Sequence, residues 1–174
     1  LASETKRFVS GDEVDRWKLQ LGDEGSVINQ LRARTQAWGM QSKILWFSTP
    51  TTEDASVIFQ LYNQGDQRLF FVPCPHCGTL QLFDITEGHA HGLKWEFKDG
   101  HILKKSIVHV CQSETCGREI TENKKPYMLK NGIWQPQTRA EYDHMASFHI
   151  NGLYSFQLSW YEMAVAYEEA KKSA

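Results

Sequence analysis

"VPCPHCGTLQLF", Val72 to Phe83, sets two cysteines into a tight turn between two apolar stretches. Cys74 and Cys77 stand three apart, and Gly78 follows directly. The turn is either half of a metal site or a redox pair, and the rest of the chain has to decide which. Only four cysteines exist, so the search is short. Cys111 and Cys116 lie in "VHVCQSETCGREI", again after an alternating apolar stretch and again followed by a glycine, Gly117. The pattern is C-x2-C, a long insert, then C-x4-C-G. Zinc takes four such ligands in a tetrahedron, with each thiolate at roughly 2.3 Å, and two short turns facing each other supply that arrangement. A glycine after each pair tolerates positive φ, so the backbone can curl and bring its N–H groups toward the sulfurs.

A catalytic redox pair usually sits at a strand-to-helix junction and would leave Cys111 and Cys116 unexplained. Two structural disulfides would suit a secreted protein, yet the chain shows no signal peptide, and its 174 residues can bury a core without staples. The spacing therefore predicts a structural zinc held by Cys74, Cys77, Cys111 and Cys116. His76, inside the first turn, and His109, just before the second, are competing donors. With four thiolates at hand they are read as lying outside the coordination set.

The length suits one ordinary domain, or a small domain inserted into part of a larger one. A formal net charge of −2 provides no general basic field, so composition does not announce a nucleic-acid partner. The longest apolar run, near "KILWF", falls far short of a membrane helix. The chain begins at Leu1 rather than Met, with residues that read as mid-domain sequence, and is expected to be a fragment. Paired reduced cysteines without an export signal point to a cytoplasmic setting.

Three regions separate by character: residues 1–67, 68–130 and 131–174. In the first, "KRFVS" reads as a strand broken by Gly11, and "SVINQLRART" as a helix with Ser26 as its N-cap. "KILWF", Lys43 to Phe47, reads as a short strand buried on both faces, as parallel strands are. Thr51 with Asp54 approximates a capping box, and Gly65 supplies a stop, for a helix over Ala55 to Asn63. Strand, polar turn, helix is the grammar of an α/β nucleotide-binding core. The middle region is a run of short β-prone stretches, with "KDG", Lys98 to Gly100, as a hairpin turn, and reads as a zinc ribbon. The last region is loop-like until Ser159 and Glu162 open a helix near Trp160 with an apolar stripe of Trp160, Met163, Ala164, Tyr167 and Ala170. The predicted fold class is α/β, a partial P-loop-type (RecA-like) ATPase core with a small β-rich zinc-ribbon insertion and a C-terminal helix.

Chemistry concentrates at two strand ends. In "DEVD", Asp12 to Asp15, Asp12 and Glu13 are placed as in a Walker B element, where one acid holds Mg²⁺ and the next orients the attacking water. The competing reading is an exposed, solvated acidic turn. In "STPT", Ser48 to Thr51, hydroxyls directly follow a strand, where the ligand crevice of an open α/β sheet lies, so they are placed to sense a terminal phosphate. Plain helix capping competes with that reading. No G-x-x-x-x-G-K-[ST] exists in the chain, so the phosphate cradle and its lysine are not within it. Arg32 and Arg34 could pair with phosphate, but two arginines on a helix face are usually solvent contacts or salt-bridge partners. The pairs Lys104–Lys105 and Lys124–Lys125 fit DNA backbone contact and an ordinary surface equally.

In order, "LASETKRFVSGDEVDRW", "GDEGSVINQLRART", "SKILWFSTPT", "GDQRLFFVPCPHCG" and "GIWQP" with "SFHINGLYSFQLSW" resemble the GpA-type large terminase subunit of tailed bacteriophages. The resemblance implies a two-part enzyme whose N-terminal ATPase drives double-stranded DNA into a procapsid and whose C-terminal metal-dependent nuclease cuts the concatemer. It implies ATP and Mg²⁺ as cofactors in the full-length enzyme. Its implied partners are double-stranded DNA, a terminase small subunit and the portal of the procapsid, with a homo-oligomeric motor, a host-cytoplasmic location and no membrane. Carried over residue by residue, Asp12 and Glu13 match the Walker B position, and Ser48, Thr49 and Thr51 the segment that couples hydrolysis to movement. The Walker A lysine and the nuclease carboxylates have no counterpart, so the fragment alone is expected to be inactive. The alternative is a non-enzymatic zinc-ribbon module that binds nucleic acid or a protein partner.

Overall fold

A computed structural model describes residues 4–18, 26–52 and 55–173. They form a mixed α/β structure of several small sheets ending in a helix. The chain separates into two compact units, Leu1–Gln64 and Gly65–Ala174. No helix is long and apolar enough to cross a membrane among the described residues.

In the first unit, β1 (Phe8–Asp12) is followed by α1 (Val27–Thr35), β2 (Lys43–Phe47) and α2 (Val57–Gln64). The two strands pair in parallel, with Gly11 opposite Trp46 and Asp12 opposite Phe47. The expected break at Gly11 does not occur: β1 runs through Ser10 and Gly11 to Asp12. A Cβ at Gly11 would lie 2.6 Å from the Trp46 ring and 2.7 Å from that of Trp17. Those indoles meet edge to face with centroids 6.2 Å apart. Glycine here makes room for an aromatic pair instead of ending a strand.

The expected burial of both faces of β2 is also corrected. Its residues alternate, and Leu45 is 59% and Phe47 45% exposed, beside Phe8 at 62%. Parallel strands read as apolar throughout because helices cover both faces. Among the described residues, only the Ile44 and Trp46 face is partly covered. α2 begins two residues later than expected, and Asp54 of the anticipated capping box lies outside the described residues. The fully buried Ser56 takes the cap role, its Oγ accepting the Phe59 N–H at 3.1 Å.

The second unit holds β3 (Arg68–Pro73), β4 (Leu80–Gln81), β5 (Gly92–Lys94), β6 (Phe97–Lys98), β7 (His101–Ile102), β8 (Val108–Val110) and β9 (Glu119–Ile120). Then come α3 (Lys125–Lys130), β10 (Ile133–Gln135), β11 (Phe148–His149) and α4 (Trp160–Ser173). β3 is the spine. It pairs antiparallel with β10, parallel with β11 and, through its last two residues, antiparallel with β4. β5, β8 and β9 form a second sheet in that order. The anticipated "KDG" turn closes the β6–β7 hairpin, with Asp99 and Gly100 both left-handed at φ 51 and 78. Gly65 follows the last residue of α2 directly, as expected of a helix stop, without a left-handed conformation; a Cβ there would overlap the Ser147 side chain at 2.3–2.4 Å.

One buried cluster serves the whole unit: Val72, Phe83, Leu93, Ile120, Met128, Leu153 and Trp160 all belong to it. The cysteine hairpins and the C-terminal helix therefore share a core. α4 starts with the anticipated box, the Ser159 N–H donating to Glu162 Oε2 at 2.7 Å and the Glu162 N–H to Ser159 Oγ at 3.2 Å. Of its expected stripe, Trp160 and Ala164 are fully buried, Met163 packs against the core and Tyr167 meets Trp95, whereas Ala170 is exposed. Lys125 is buried with its ammonium donating to the carbonyls of Ser155 and Leu158, which ties α3 to the start of that helix.

Candidate functional site

Two places collect chemistry, one in each unit. In the second unit, β3 and β4 are the arms of a hairpin whose tip runs from Cys74 to Thr79. Cys74 N–H donates to the Thr79 carbonyl at 2.8 Å, and Gly78 N–H to the Cys74 carbonyl at 2.9 Å. β8 and β9 form the matching hairpin, where Cys111 N–H donates to the Arg118 carbonyl at 3.0 Å and Gly117 N–H to the Ser113 carbonyl at 2.8 Å. Gly78 and Gly117 both sit at positive φ, 77 and 50, as the sequence pattern required. The His76 N–H points at Cys74 Sγ from 3.4 Å.

The two tips bring all four sulfurs within 4.8 Å of one another. Cys77 Sγ and Cys111 Sγ are 3.7 Å apart. Four thiolates on a tetrahedron of roughly 2.3 Å bonds lie roughly 3.8 Å from each other, so the Cys77–Cys111 spacing matches that edge and the set is compatible with a tetrahedral metal site. None of the four cysteines is in a disulfide. Cys74 and Cys111 are buried, Cys116 is half-buried and Cys77 is exposed. Burial pushes the Cys111 thiol up to about 12 and raises Cys74 as well. At Cys77, hydrogen bonds from the Thr79 hydroxyl and amide lower it to about 6. A bound dication reverses the burial penalty by neutralising the thiolates.

Neither histidine joins this set. His76 is exposed, with Nε2 3.1 Å from the Glu119 carbonyl oxygen. His109 is buried between Phe83 and Trp160, with ring centroids 5.3 and 6.0 Å away. Burial lowers its pKa to about 4, so it is a neutral core residue.

In the first unit, the parallel pairing sets the ends of β1 and β2 side by side, which brings "DEVD" next to "STPT". Asp12 is exposed at the end of β1, and its carbonyl accepts from the Trp17 indole at 2.9 Å. Glu13 takes a left-handed conformation, φ 51 and ψ 44, and its carboxylate accepts from Arg16 Nε at 2.8 Å. Val14 is fully buried and anchors the short 3-10 turn that follows. Ser48, Thr49 and Thr51 are half-buried to exposed in the turn after β2.

The sequence assigned no role to Asp15, yet it is the acid that meets this turn. Its backbone N–H donates to Ser48 Oγ at 3.2 Å. One carboxylate oxygen accepts the Thr51 N–H at 3.0 Å, and the other the Ile58 N–H at 2.8 Å. Burial raises the pKa of this carboxyl, but hydrogen bonds from Ser56, Ile58 and Thr51 outweigh it and hold the net value below normal. No local pattern announces a partner 43 residues away; only the third acid of the cluster hinted at it.

Residues 1–134 match the family described as phage terminase large subunit gpA, ATPase domain. The terminase large subunit of Enterobacteria phage P21 is 25% identical over 179 aligned residues, covering 92% of this chain and 27% of that protein. The chain thus spans about a quarter of the length of this relative. No solved structure matches the chain.

Proposed function

The chain belongs to the family of phage terminase large subunit ATPase domains, and from that premise we propose that it forms part of the ATP-driven motor that packages double-stranded DNA into a procapsid. The observation that carries this reading is the parallel register Asp12↔Phe47, which sets an acidic strand end beside a hydroxyl-rich one. In open α/β sheets that edge is where phosphate-bearing ligands are met. Asp12 would hold Mg²⁺, and Glu13 would orient water against the γ-phosphate. Mg²⁺ supplies charge neutralisation on the phosphates. The left-handed conformation of Glu13 supports its assignment, since residues held in sparsely populated conformations cluster at functional sites. Ser48, Thr49 and Thr51 would read the state of that site from the neighbouring strand end.

The chain has no phosphate-cradling loop of its own, so hydrolysis requires a P-loop supplied from outside these residues. The open face of β1 and β2 fits the edge of a larger sheet of the same ATPase core. In the second unit, the four cysteines are proposed to hold a structural zinc, pinning two hairpins into a ribbon that shares its core with the C-terminal helix. DNA, the small subunit, the portal and further copies of the motor are the partners this reading entails, in the host cytoplasm. Cutting the DNA would fall to a nuclease domain.

The test is a packaging assay with the full-length large subunit, its small subunit, procapsids and linear DNA. ATP-dependent protection of the DNA from added nuclease is expected. Loss of protection on withholding ATP is part of that expectation. Zinc loading without any ATP-dependent protection would favour a non-enzymatic binding module instead.

A further inference from the structure

We propose that Asp15 is a positioning residue that ties the Ser48–Thr51 turn to the acidic turn, so that displacement at Asp12 and Glu13 is passed to the segment after β2. This rests on the reading of Asp12, Glu13 and the Ser48–Thr51 turn given above. The left-handed Glu13 turns the chain back on itself at the end of β1. Two residues later Asp15 faces the turn that leaves β2, held there by the fully buried Val14.

Asp15 then bonds to two elements at once. Through Oδ2 it accepts from the Thr51 N–H at 3.0 Å and stands 3.4 Å from the Thr51 hydroxyl. Through Oδ1 it accepts from the Ile58 N–H at 2.8 Å, in the first turn of α2. The return bond runs from the Asp15 N–H to Ser48 Oγ at 3.2 Å. The buried Ser56, itself capping α2, adds a hydrogen bond to the same carboxylate. Simple helix capping needs only one of these contacts. Here a single carboxylate spans the acidic turn, the polar turn and the helix that follows it. Hydrogen bonds weaken steeply once their geometry is lost, so a shift of about 1 Å at the acidic turn would pull on or release both others.

The readout is the number of base pairs packaged per ATP hydrolysed by the full-length large subunit with procapsids. Asp15→Asn removes the charge and places an NH2 where an N–H must be accepted. The ratio is expected to fall by about tenfold or more, in line with the cost of misplacing a supporting group. A merely structural role would lower packaging and hydrolysis together and leave the ratio unchanged. Ser48→Ala removes the acceptor of the Asp15 N–H from the other side and should give a smaller fall in the same ratio. Combined with Asp15→Asn, it should add little, because both variants cut one linkage. Should Asp15→Asn fail to fold, Ser48→Ala decides the matter. A ratio at the normal level in whichever of these variants folds overturns the role of Asp15. Normal hydrolysis by Glu13→Gln is a separate result, which overturns the assignment of the acidic turn itself.

Discussion

The hydroxyl of Tyr154 donates to the Phe70 carbonyl at 2.8 Å. The same oxygen accepts the Phe83 N–H at 3.0 Å, so one buried phenol joins the spine strand β3 to the segment after β4. Burial lifts its pKa to about 12, which keeps it a donor across the working pH range. Tyr154→Phe keeps the ring contacts with Phe70 and Phe83 but leaves a buried amide without its acceptor. It should cost about 1–3 kcal/mol. Chemical denaturation of the second unit measures this, and a change under about 0.3 kcal/mol would show that water replaces the hydroxyl.

Zinc removal should act on the same unit. The sulfur cage sits on hairpins whose strands carry Val72 and Ile120, both fully buried in the core shared with Trp160. Binding free energy at such a site is folding free energy. One zinc per chain is expected in protein purified without added metal, and a strong chelator should unfold Gly65–Ala174 cooperatively, C-terminal helix included. Elemental analysis finding less than about half an equivalent, or a disulfide among the four cysteines, would sink the assignment.

Gly11→Ala tests the aromatic packing of the first unit. The added methyl meets the Trp46 ring at 2.6 Å and the Trp17 ring at 2.7 Å. Both rings are large and one is fixed by its hydrogen bond to the Asp12 carbonyl, so relief requires moving the strand or an indole. A loss of about 1–3 kcal/mol is expected, with a shifted tryptophan emission. An unchanged emission and stability would mean that the indoles give way freely.

Glycines mark where the sequence was legible and where it was not. Gly78 and Gly117 follow cysteines at fixed spacing, and their role is local: a tip that needs positive φ. Such a signal lies within a few residues. Gly11 looked like the same kind of punctuation, but its reason is Trp46, 35 residues later, on a strand whose pairing no local pattern states. The capping box at Ser159 and Glu162 was legible for the first reason. Asp15 and Tyr154 were not, because their partners Ile58 and Phe70 lie 43 and 84 residues away. Alternation in β2 was masked because five apolar or long side chains in "KILWF" look alike whether one face is covered or two.

Asp15 also gives the first unit an acid sensitivity of known sign. Its folded pKa lies below the ordinary 3.8, held there by donors that outweigh burial. The ionised carboxylate therefore contributes stability that is fully present above the unfolded value and is lost as pH falls through the folded one. Asp15→Asn should destabilise the unit near neutrality by about 1 kcal/mol, as loss of a capping acid does. That gap between the two proteins should close as the pH drops below about 4. Denaturation followed by tryptophan emission at several pH values checks it, and a gap independent of pH would mean that the charge is not what the donors hold.

Glu13→Gln is the sharpest test of the proposed motor chemistry in the full-length subunit. Gln preserves size and the left-handed turn's side-chain reach but removes the negative charge that Arg16 now meets at 2.8 Å. That ion pair is largely solvated, with Arg16 76% exposed, so its loss alone should cost little stability. Water activation is different, because it needs the carboxylate as a base. Turnover is expected to slow by roughly 10²-fold or more with ATP binding close to normal. Asp12→Asn should instead weaken the Mg²⁺-dependent part of binding. DNA packaging should stop in both variants, while zinc content stays the same, because the four cysteines lie in the other unit. The measurement is single-turnover hydrolysis set beside ATP affinity for each variant. If Glu13→Gln hydrolyses ATP at the normal rate, the acidic turn is a solvated surface feature, and the water-orienting carboxylate has to be sought elsewhere in the protein.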